Sequence, residues 1–182
     1  RPHHSTITIS LKLFGIIMNN KILVVMGNGP SLKDVDFSML EGVDTFGLNS
    51  AYRAYPRLNW WPTYHGCFDF RVTDNHRDSF VELIEGGKIK RHFYIRDLSN
   101  NERFTHVNLL PYGSTDKTNN KEEDFKAFHD NGNSGANASS VGICLGYKKI
   151  VLLGVDCNYV EFVDGCKRDG PGGLVMEKTP DK

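Results

Sequence analysis

Residues 21–31 read KILVVMGNGPS, and this stretch decides the fold. Lys21–Met26 is a continuous apolar run rich in β-branched residues, which is typical of a parallel strand buried on both faces. The glycines of Gly27–Ser31 permit unusual backbone angles and the close approach of a ligand. Pro30 and Ser31 suit the first turn of a helix. The stretch therefore predicts a strand, a tight turn and the start of a helix.

Similar segments alternate with helical ones along the rest of the chain. Strands are predicted at 44–48, 64–68, 90–95, 106–110 and 149–153. Helical pieces are predicted at 51–54, ended by Pro56, at 74–85, ended by Gly86-Gly87, and at 133–145. The small residues of the last helix predict that it lies very close to a sheet. Together the pattern predicts an α/β fold: a single Rossmann-like domain with a mostly parallel sheet flanked by helices.

Composition restricts the classes of partner. The chain has 182 residues, 39% of them hydrophobic, with 22 Lys and Arg against 22 Asp and Glu, so the net charge is zero. A balanced charge argues against broad electrostatic binding to nucleic acid or to an anionic membrane. No stretch is long and apolar enough to span a bilayer. The four cysteines form no C-x-x-C pair, which favours free thiols in a reducing cytoplasm over disulfides or a zinc site.

The domain boundaries follow from the start of the first strand. Met18 precedes Asn19-Asn20 and the strand at Lys21, and this looks like a natural start. We therefore expect residues 1–17 to be a leader that is non-native or disordered, and residues 18–182 to form the Rossmann-like domain.

Polar or glycine residues follow four of the predicted strands. They are Gly27-Asn28, Asn49, Asp69 and Gly154–Asp156. Because ligands of parallel α/β sheets bind beyond the carboxyl ends of the strands, we expect these residues to share one site.

The Gly27–Ser31 turn lacks the G-K-[ST] of a P-loop and the third glycine of a dinucleotide fingerprint. Two interpretations stay open: an anion or nucleotide cradle built from backbone N–H groups, and a plain turn between strand and helix. Asn28 favours the first, since an amide at a strand tip can bind a base or a ribose. The Asn133-Ser134-Gly135 segment can likewise hold a phosphate or simply cap its helix, and capping is the favoured interpretation.

The remaining chemically suggestive residues have favoured structural explanations. Asp34-Val35-Asp36 has the spacing of a metal-binding pair, but its place in a helical turn favours solvated acids. Histidines 65, 92 and 106 have no ligand spacing, and His65 is expected in the core or at a sheet edge. His129 is the histidine best placed to reach the site, against the alternative of a solvated loop residue. For Trp60-Trp61, core packing is expected and a sugar-stacking surface is the alternative.

Two segments together carry a family resemblance. Residues 21–33 resemble the start of the bacterial sialyltransferases of glycosyltransferase family 42, and residues 134–156, with the motifs L-G-Y-K and G-V-D, resemble their second hallmark. The resemblance implies transfer from CMP-sialic acid without a metal ion or other cofactor. The substrate-binding set that it and the strand tips predict is Gly27, Asn28, Gly29, Ser31, Asn49, Asp69, Ser134, Gly135, Asp156 and, offset by one position, Tyr159.

The chain departs from that family in two respects. The family's general-base histidine and part of its lid lie further downstream than residue 182, so we expect a C-terminal truncation. The base is unassigned, with His129 and Tyr159 as candidates. Asp69 stands where the family has asparagine, which is expected to change donor recognition.

The function predicted by the resemblance is transfer of sialic acid, or a similar sugar, from a CMP-sugar to a glycan hydroxyl. This places the protein in bacterial lipopolysaccharide or capsule biosynthesis, in the cytoplasm or at the inner face of the membrane. Peripheral membrane association through further C-terminal residues, and a homo-oligomer, are compatible with it. The alternatives are a Mg²⁺-dependent pyrophosphokinase, as in the related DUF115 group, and a non-catalytic nucleotide-binding fragment.

Overall fold

The computed structural model describes residues 21–98, 106–110, 128 and 130–156, and the backbone alone of 166–169 and 173–176. Its centre is a sheet of six parallel strands: β1 Ile22–Met26, β2 Asp44–Leu48, β3 Tyr64–Cys67, β4 Arg91–Tyr94, β5 Val107–Leu109 and β6 Lys149–Leu153. A separate antiparallel pair consists of β7 Cys166–Asp169 and β8 Gly173–Met176. The predicted α/β fold with a parallel sheet is thereby confirmed.

The strand order is β5-β4-β3-β2-β1-β6, so the chain moves in one direction from β1 to β5 and then returns to the other side of β1. The strand order therefore reverses at β1, which has β2 on one side and β6 on the other. Sheets of this type bind ligands at the carboxyl ends of the strands beside such a reversal.

The helices differ from the prediction in two places. They are α1 Tyr55–Leu58, α2 Phe70–Asn75, α3 Arg77–Glu85 and α4 Ser134–Cys144, with 3₁₀ helices at Pro30–Asp34, Phe37–Leu40 and Asn49–Ala54. Pro56 was predicted to end the helical segment before it, but it does not. It lies in the first turn of α1, where a backbone N–H has no partner within the helix, so the missing N–H of proline costs no hydrogen bond.

The prediction of a single helix over residues 74–85 is also wrong, because the structure has two helices, α2 and α3, in this region. Asp69 accepts hydrogen bonds from the N–H groups of Arg71 and Val72, so α2 starts at Phe70, four residues before the predicted helix. His76, with φ −115° and ψ 20°, separates α2 from α3. Its ring bonds the Tyr52 hydroxyl at 2.7 Å, which anchors the residue at the break.

Helices pack on both faces of the central strands, and the alternation along the strands decides which side chains meet, whereas Val151 and Leu152 of the edge strand β6 are exposed in the described structure. On one face α4 lies so close to β1 that a Cβ on Gly142 would stand 2.6 Å from Leu23, which confirms the predicted close approach of the small-residue helix. On the other face Phe80 and Ile84 of α3 pack with Cys67 and Tyr94. None of the helices in the described ranges has the length and apolar character needed to cross a bilayer.

Candidate functional site

The turn after β1 is bonded to the turn after β6. The N–H of Gly27 donates to the Leu153 carbonyl and that of Gly29 to the Gly154 carbonyl, both at 2.8 Å. A Cβ on Gly29 would lie 2.5 Å from both the Gly154 oxygen and Asp156 Oδ2, and one on Gly27 would overlap the Gly154 oxygen. The two glycines thus allow the β6 turn to approach at the switch point of the sheet.

Asp156 completes this link through its carboxylate. Ser31 donates to it from the backbone N–H, at 2.9 Å, and from the hydroxyl, at 2.5 Å. These bonds, the hydroxyl first, lower the pKa of Asp156 below its usual value. An anionic group of the chain itself therefore lies where the turn was expected to cradle a phosphate, and the N–H groups of Gly27, Gly29 and Ser31 are bonded within the protein.

Amide and hydroxyl side chains meet beside this link. Asn28 is exposed, and its Nδ2 donates to the Leu48 carbonyl at the end of β2, at 3.4 Å. The next residue, Asn49, has φ 50°, a left-handed conformation that asparagine adopts more readily than most residues. That backbone turns its Nδ2 to Ser134 Oγ at the start of α4, at 3.1 Å. The structure thus brings the tips of β1 and β2 and the start of α4 together.

The start of α4 is capped by a neutral side chain. Asn133 Oδ1 accepts from the N–H groups of Gly135, at 2.9 Å, and Ala136, at 3.1 Å. Ser134 and Gly135, both predicted site residues, are half-buried. The structure therefore confirms the capping interpretation of this segment. The positive end of the α4 dipole also points to the carboxyl edge of the sheet.

Asp69 lies at the same edge, after β3, and its carboxylate caps α2. A cavity of about 260 Å³ separates this cap from the segment before α4, and is lined by Phe68, Asp69, Phe70, Arg71, Asp130 and Gly132. Arg71 is exposed and is the cationic group of this lining; its guanidinium lies 5.6 Å from the centre of the Phe70 ring. The volume is below the roughly 300–1,000 Å³ of pockets that enclose a drug-sized ligand, so it suits one moiety of a larger substrate.

The other suggestive residues have structural roles or lie elsewhere. Asp36 caps the 3₁₀ helix Phe37–Leu40 by accepting from Ser38, which lowers its pKa and confirms the structural interpretation of the acidic pair. His65 is completely buried on β3, as expected for a core residue. His129 and Tyr159 fall outside the described residues. Within the described ranges, no three His, Cys, Asp or Glu side chains are grouped to hold a metal ion.

Comparison with known proteins gives a structural similarity. No protein-family model matches the chain, and no curated protein matches it. A solved structure that is similar is the sialyltransferase CstII from Campylobacter jejuni, in complex with a substrate analogue, cytidine-5'-monophosphate. The identity is 22%, the TM-score is 0.49, and the match covers 75% of this chain and 69% of that one. The fold described above is established by strand order and register, independently of this similarity.

Sequence reasoning missed two features of this edge. Arg71 was not singled out, although its place two residues after Asp69, at the start of a helix after a strand, was a usable signal. The bond between Ser31 and Asp156 joins residues 125 positions apart, and no local pattern announces it.

Proposed function

We propose that this chain binds a CMP-linked sugar at the carboxyl edge of the sheet and is a glycosyltransferase for sialic acid or a similar sugar. The observation that carries the proposal is the convergence of Asn28, Asn49 and Ser134 from three separate elements at the switch point of the sheet. The resemblance of residues 21–33 and 134–156 to the family 42 sialyltransferases supports it. On this proposal the partners are a nucleotide-sugar donor and a glycan acceptor.

Amides are suited to the nucleoside half of such a donor. Asn28 and Asn49 each offer a donor and an acceptor without a net charge, which fits ribose hydroxyls and the edge of cytosine. The Asn28 bond is long, at 3.4 Å, so it can be exchanged for a ligand contact at little cost. The Asn49 bond to Ser134, at 3.1 Å, is of ordinary length, and a ligand contact there has to replace it.

The leaving phosphate needs a different position from the one the sequence suggested. A phosphate at Gly27–Ser31 would meet the carboxylate of Asp156 and find the N–H groups already bonded. We therefore assign the phosphate to the start of α4, beside Ser134, where the 11-residue helix directs its positive end and the cap is neutral. Arg71 supplies the positive charge of the neighbouring cavity, which also contains the carboxylates of Asp69 and Asp130. Both carboxylates accept hydrogen bonds from the protein, so we assign to Arg71 the contact with an acidic group of the sugar.

The reaction proposed is a single displacement. The oxygen of the acceptor hydroxyl forms a bond to the anomeric carbon, the bond from that carbon to the phosphate oxygen breaks, and the electron pair leaves with CMP. The acceptor proton passes to a general base, for which His129 and Tyr159 are the candidates. The residues of the described edge hold and orient the donor, and stabilise the charge that develops on the phosphate.

CMP alone is expected to raise the melting temperature. A ligand at one hundred times its dissociation constant stabilises by about 2.7 kcal/mol, which corresponds to roughly 5–10 °C for a chain of this size. The measurement is thermal unfolding with CMP, other nucleotides and ATP, each with and without Mg²⁺. A response confined to ATP with Mg²⁺ would favour pyrophosphoryl transfer instead. CMP binding without turnover of CMP-sialic acid on a panel of acceptors would identify a non-catalytic binder, and no response to any nucleotide would contradict the proposal.

Replacing Asn49 by glycine is expected to weaken CMP binding about tenfold, the equivalent of one lost hydrogen bond of roughly 1.4 kcal/mol. Glycine keeps the left-handed backbone, so the variant removes the amide without straining the turn. Asn59→Gly is a matched control, because Asn59 has a similar φ of 47° but lies after α1, away from the site. Isothermal titration of both variants decides: equal CMP affinity would remove Asn49 from the site.

A further inference from the structure

A second groove lies at the opposite edge of the sheet from the site just described. It has a volume of about 480 Å³, and its walls are residues 37, 38 and 40–45, which precede and begin β2, together with residues 60, 61 and 63 before β3. β2 has five residues, so roughly 15 Å separates the two edges at about 3.3 Å per residue. The groove is therefore independent of the proposed donor site.

Aromatic rings provide much of its wall. Phe37, Trp60 and Trp61 all line it. Trp60 packs against Phe37, with ring centres 5.0 Å apart, and against the ring of Tyr55 in an edge-on arrangement. Lys88 Nζ stands 5.4 Å from the centre of the Trp61 ring. Both indoles are half-buried, and neither indole N–H donates to any residue in the described ranges.

Glu41 provides the charged part of the lining. Asp44 also borders the groove, but its carboxylate accepts a hydrogen bond from Tyr147, which packs on the α4 face of the sheet. Glu41 is exposed beside Gly42, where a Cβ would meet no atom within 4 Å. Thr45 and Thr63 are satisfied by each other, through reciprocal bonds of 3.0 Å. The lining thus combines an exposed carboxylate with aromatic rings, and Lys88, although not part of the lining, lies against Trp61.

We propose that this groove binds an uncharged pyranose unit of a glycan. A pyranose has an apolar face of C–H groups that packs on an indole, and a rim of hydroxyls that donate to carboxylates. The exposed carboxylate of Glu41 disfavours acidic sugars by repulsion, and the nearest cation, Lys88, is already placed against Trp61. The groove anchors a glycan chain away from the site of transfer, and this proposal holds whether or not the chain uses a CMP-sugar.

Intrinsic fluorescence tests the groove directly, since the two tryptophans of the chain both line it. Titration with galactose, N-acetylglucosamine and their oligosaccharides is expected to shift the emission with a dissociation constant on the order of 1 mM, typical of a small contact. Sialic acid and CMP are expected to leave the emission unchanged. An unchanged emission with every neutral saccharide up to about 50 mM would overturn the proposal.

Variants separate binding from a spectroscopic artefact. Trp61→Leu is expected to weaken saccharide binding at least tenfold in saturation-transfer NMR, and Glu41→Gln several-fold. Leu58→Ala, an exposed residue outside the groove, is the control and is expected to bind as the parent does. Glu41 is on the surface, so its variant stays folded even if Trp61→Leu does not. Parental affinity in folded forms of both groove variants would overturn the assignment, whatever the result with CMP.

Discussion

Lowering the pH from 8 to 5 is expected to reduce the free energy of unfolding by about 4 kcal/mol, because two histidines are buried in their neutral form. Burial, and secondarily the charge of His92, lowers the pKa of His65 well below its usual value. Burial, and secondarily the charge of His106, lowers the pKa of His92 to about 3. Each histidine titrates near pH 6.5 once unfolded, so the unfolded chain binds more protons at pH 5 and is favoured by about 2 kcal/mol per residue.

The packing around these rings explains why protonation is opposed. His65 on β3 and His92 on β4 are paired in register, with ring centres 6.3 Å apart and no exposed surface. The Nδ1 atoms of the two rings bond the hydroxyls of Tyr55, at 2.9 Å, and Tyr94, at 3.4 Å, while Nε2 of each has no partner in the described ranges. Protonating one ring would bury an uncompensated charge, and protonating both would place two like charges side by side in an apolar layer.

The sign and the window follow from the direction of the shifts. The contribution of the two neutral histidines to the free energy of unfolding is fully present above pH 6.5. It is lost as the pH falls below that value, with a limiting slope of about 2.7 kcal/mol per pH unit for two groups. Urea unfolding at pH 8, 6.5, 6 and 5 measures this slope. His92→Leu is expected to halve it, and the same variant at pH 8 serves as its control. Stability that is flat or rises between pH 6.5 and 5 would contradict the buried neutral pair.

The clearest strands were predictable because each is a short run of apolar and β-branched residues, although β1 is buried on both faces whereas Val151 and Leu152 of β6 are exposed in the described structure. Ile22–Met26 and Lys149–Leu153 match their predicted bounds to within one residue for this reason. The helix bounds were less predictable, since a cap acts through one side chain. Asp69 and Asp74 are equally plausible caps in sequence, but only the tertiary structure shows that Asp74 is instead paired with Arg96, at 2.9 Å.

The site was predictable as a location and less so as a set of contacts. Asn28, Asn49 and Ser134 could be placed at one edge because parallel strands align their carboxyl ends. The role of Asp156 could not, because a carboxylate after a strand is equally suited to a ligand and to a nearby N–H group. Its partner Ser31 is brought within reach only by the pairing of β6 with β1.

Replacing Gly47 by alanine is expected to destabilise the protein by about 4 kcal/mol. Gly47 is buried on β2, and a Cβ there would overlap the Tyr55 hydroxyl and lie 3.1 Å from Pro62 Cγ. Tyr55 is only 2% exposed, so its ring cannot move into solvent without opening the core. Overpacking costs about 1–3 kcal/mol, and displacing the hydroxyl leaves His65 Nδ1 buried without its hydrogen bond, for about 1–3 kcal/mol more.

A double-mutant cycle tests this cause against a general intolerance of β2. Tyr55→Phe removes the overlapping oxygen, so Gly47→Ala in that background is expected to cost less, by about 1–2 kcal/mol, than in the parent. Gly86→Ala is the control glycine: it ends α3 with φ −62°, is exposed, and is expected to change stability by less than about 1 kcal/mol. Strict additivity of Gly47→Ala and Tyr55→Phe in urea unfolding would show that the methyl group does not act through the Tyr55 hydroxyl. If the hydroxyl is the cause, the Gly47 variant also loses the tyrosine bond to His65 that Tyr55→Phe removes, and the two single variants are expected to share the same change in acid sensitivity.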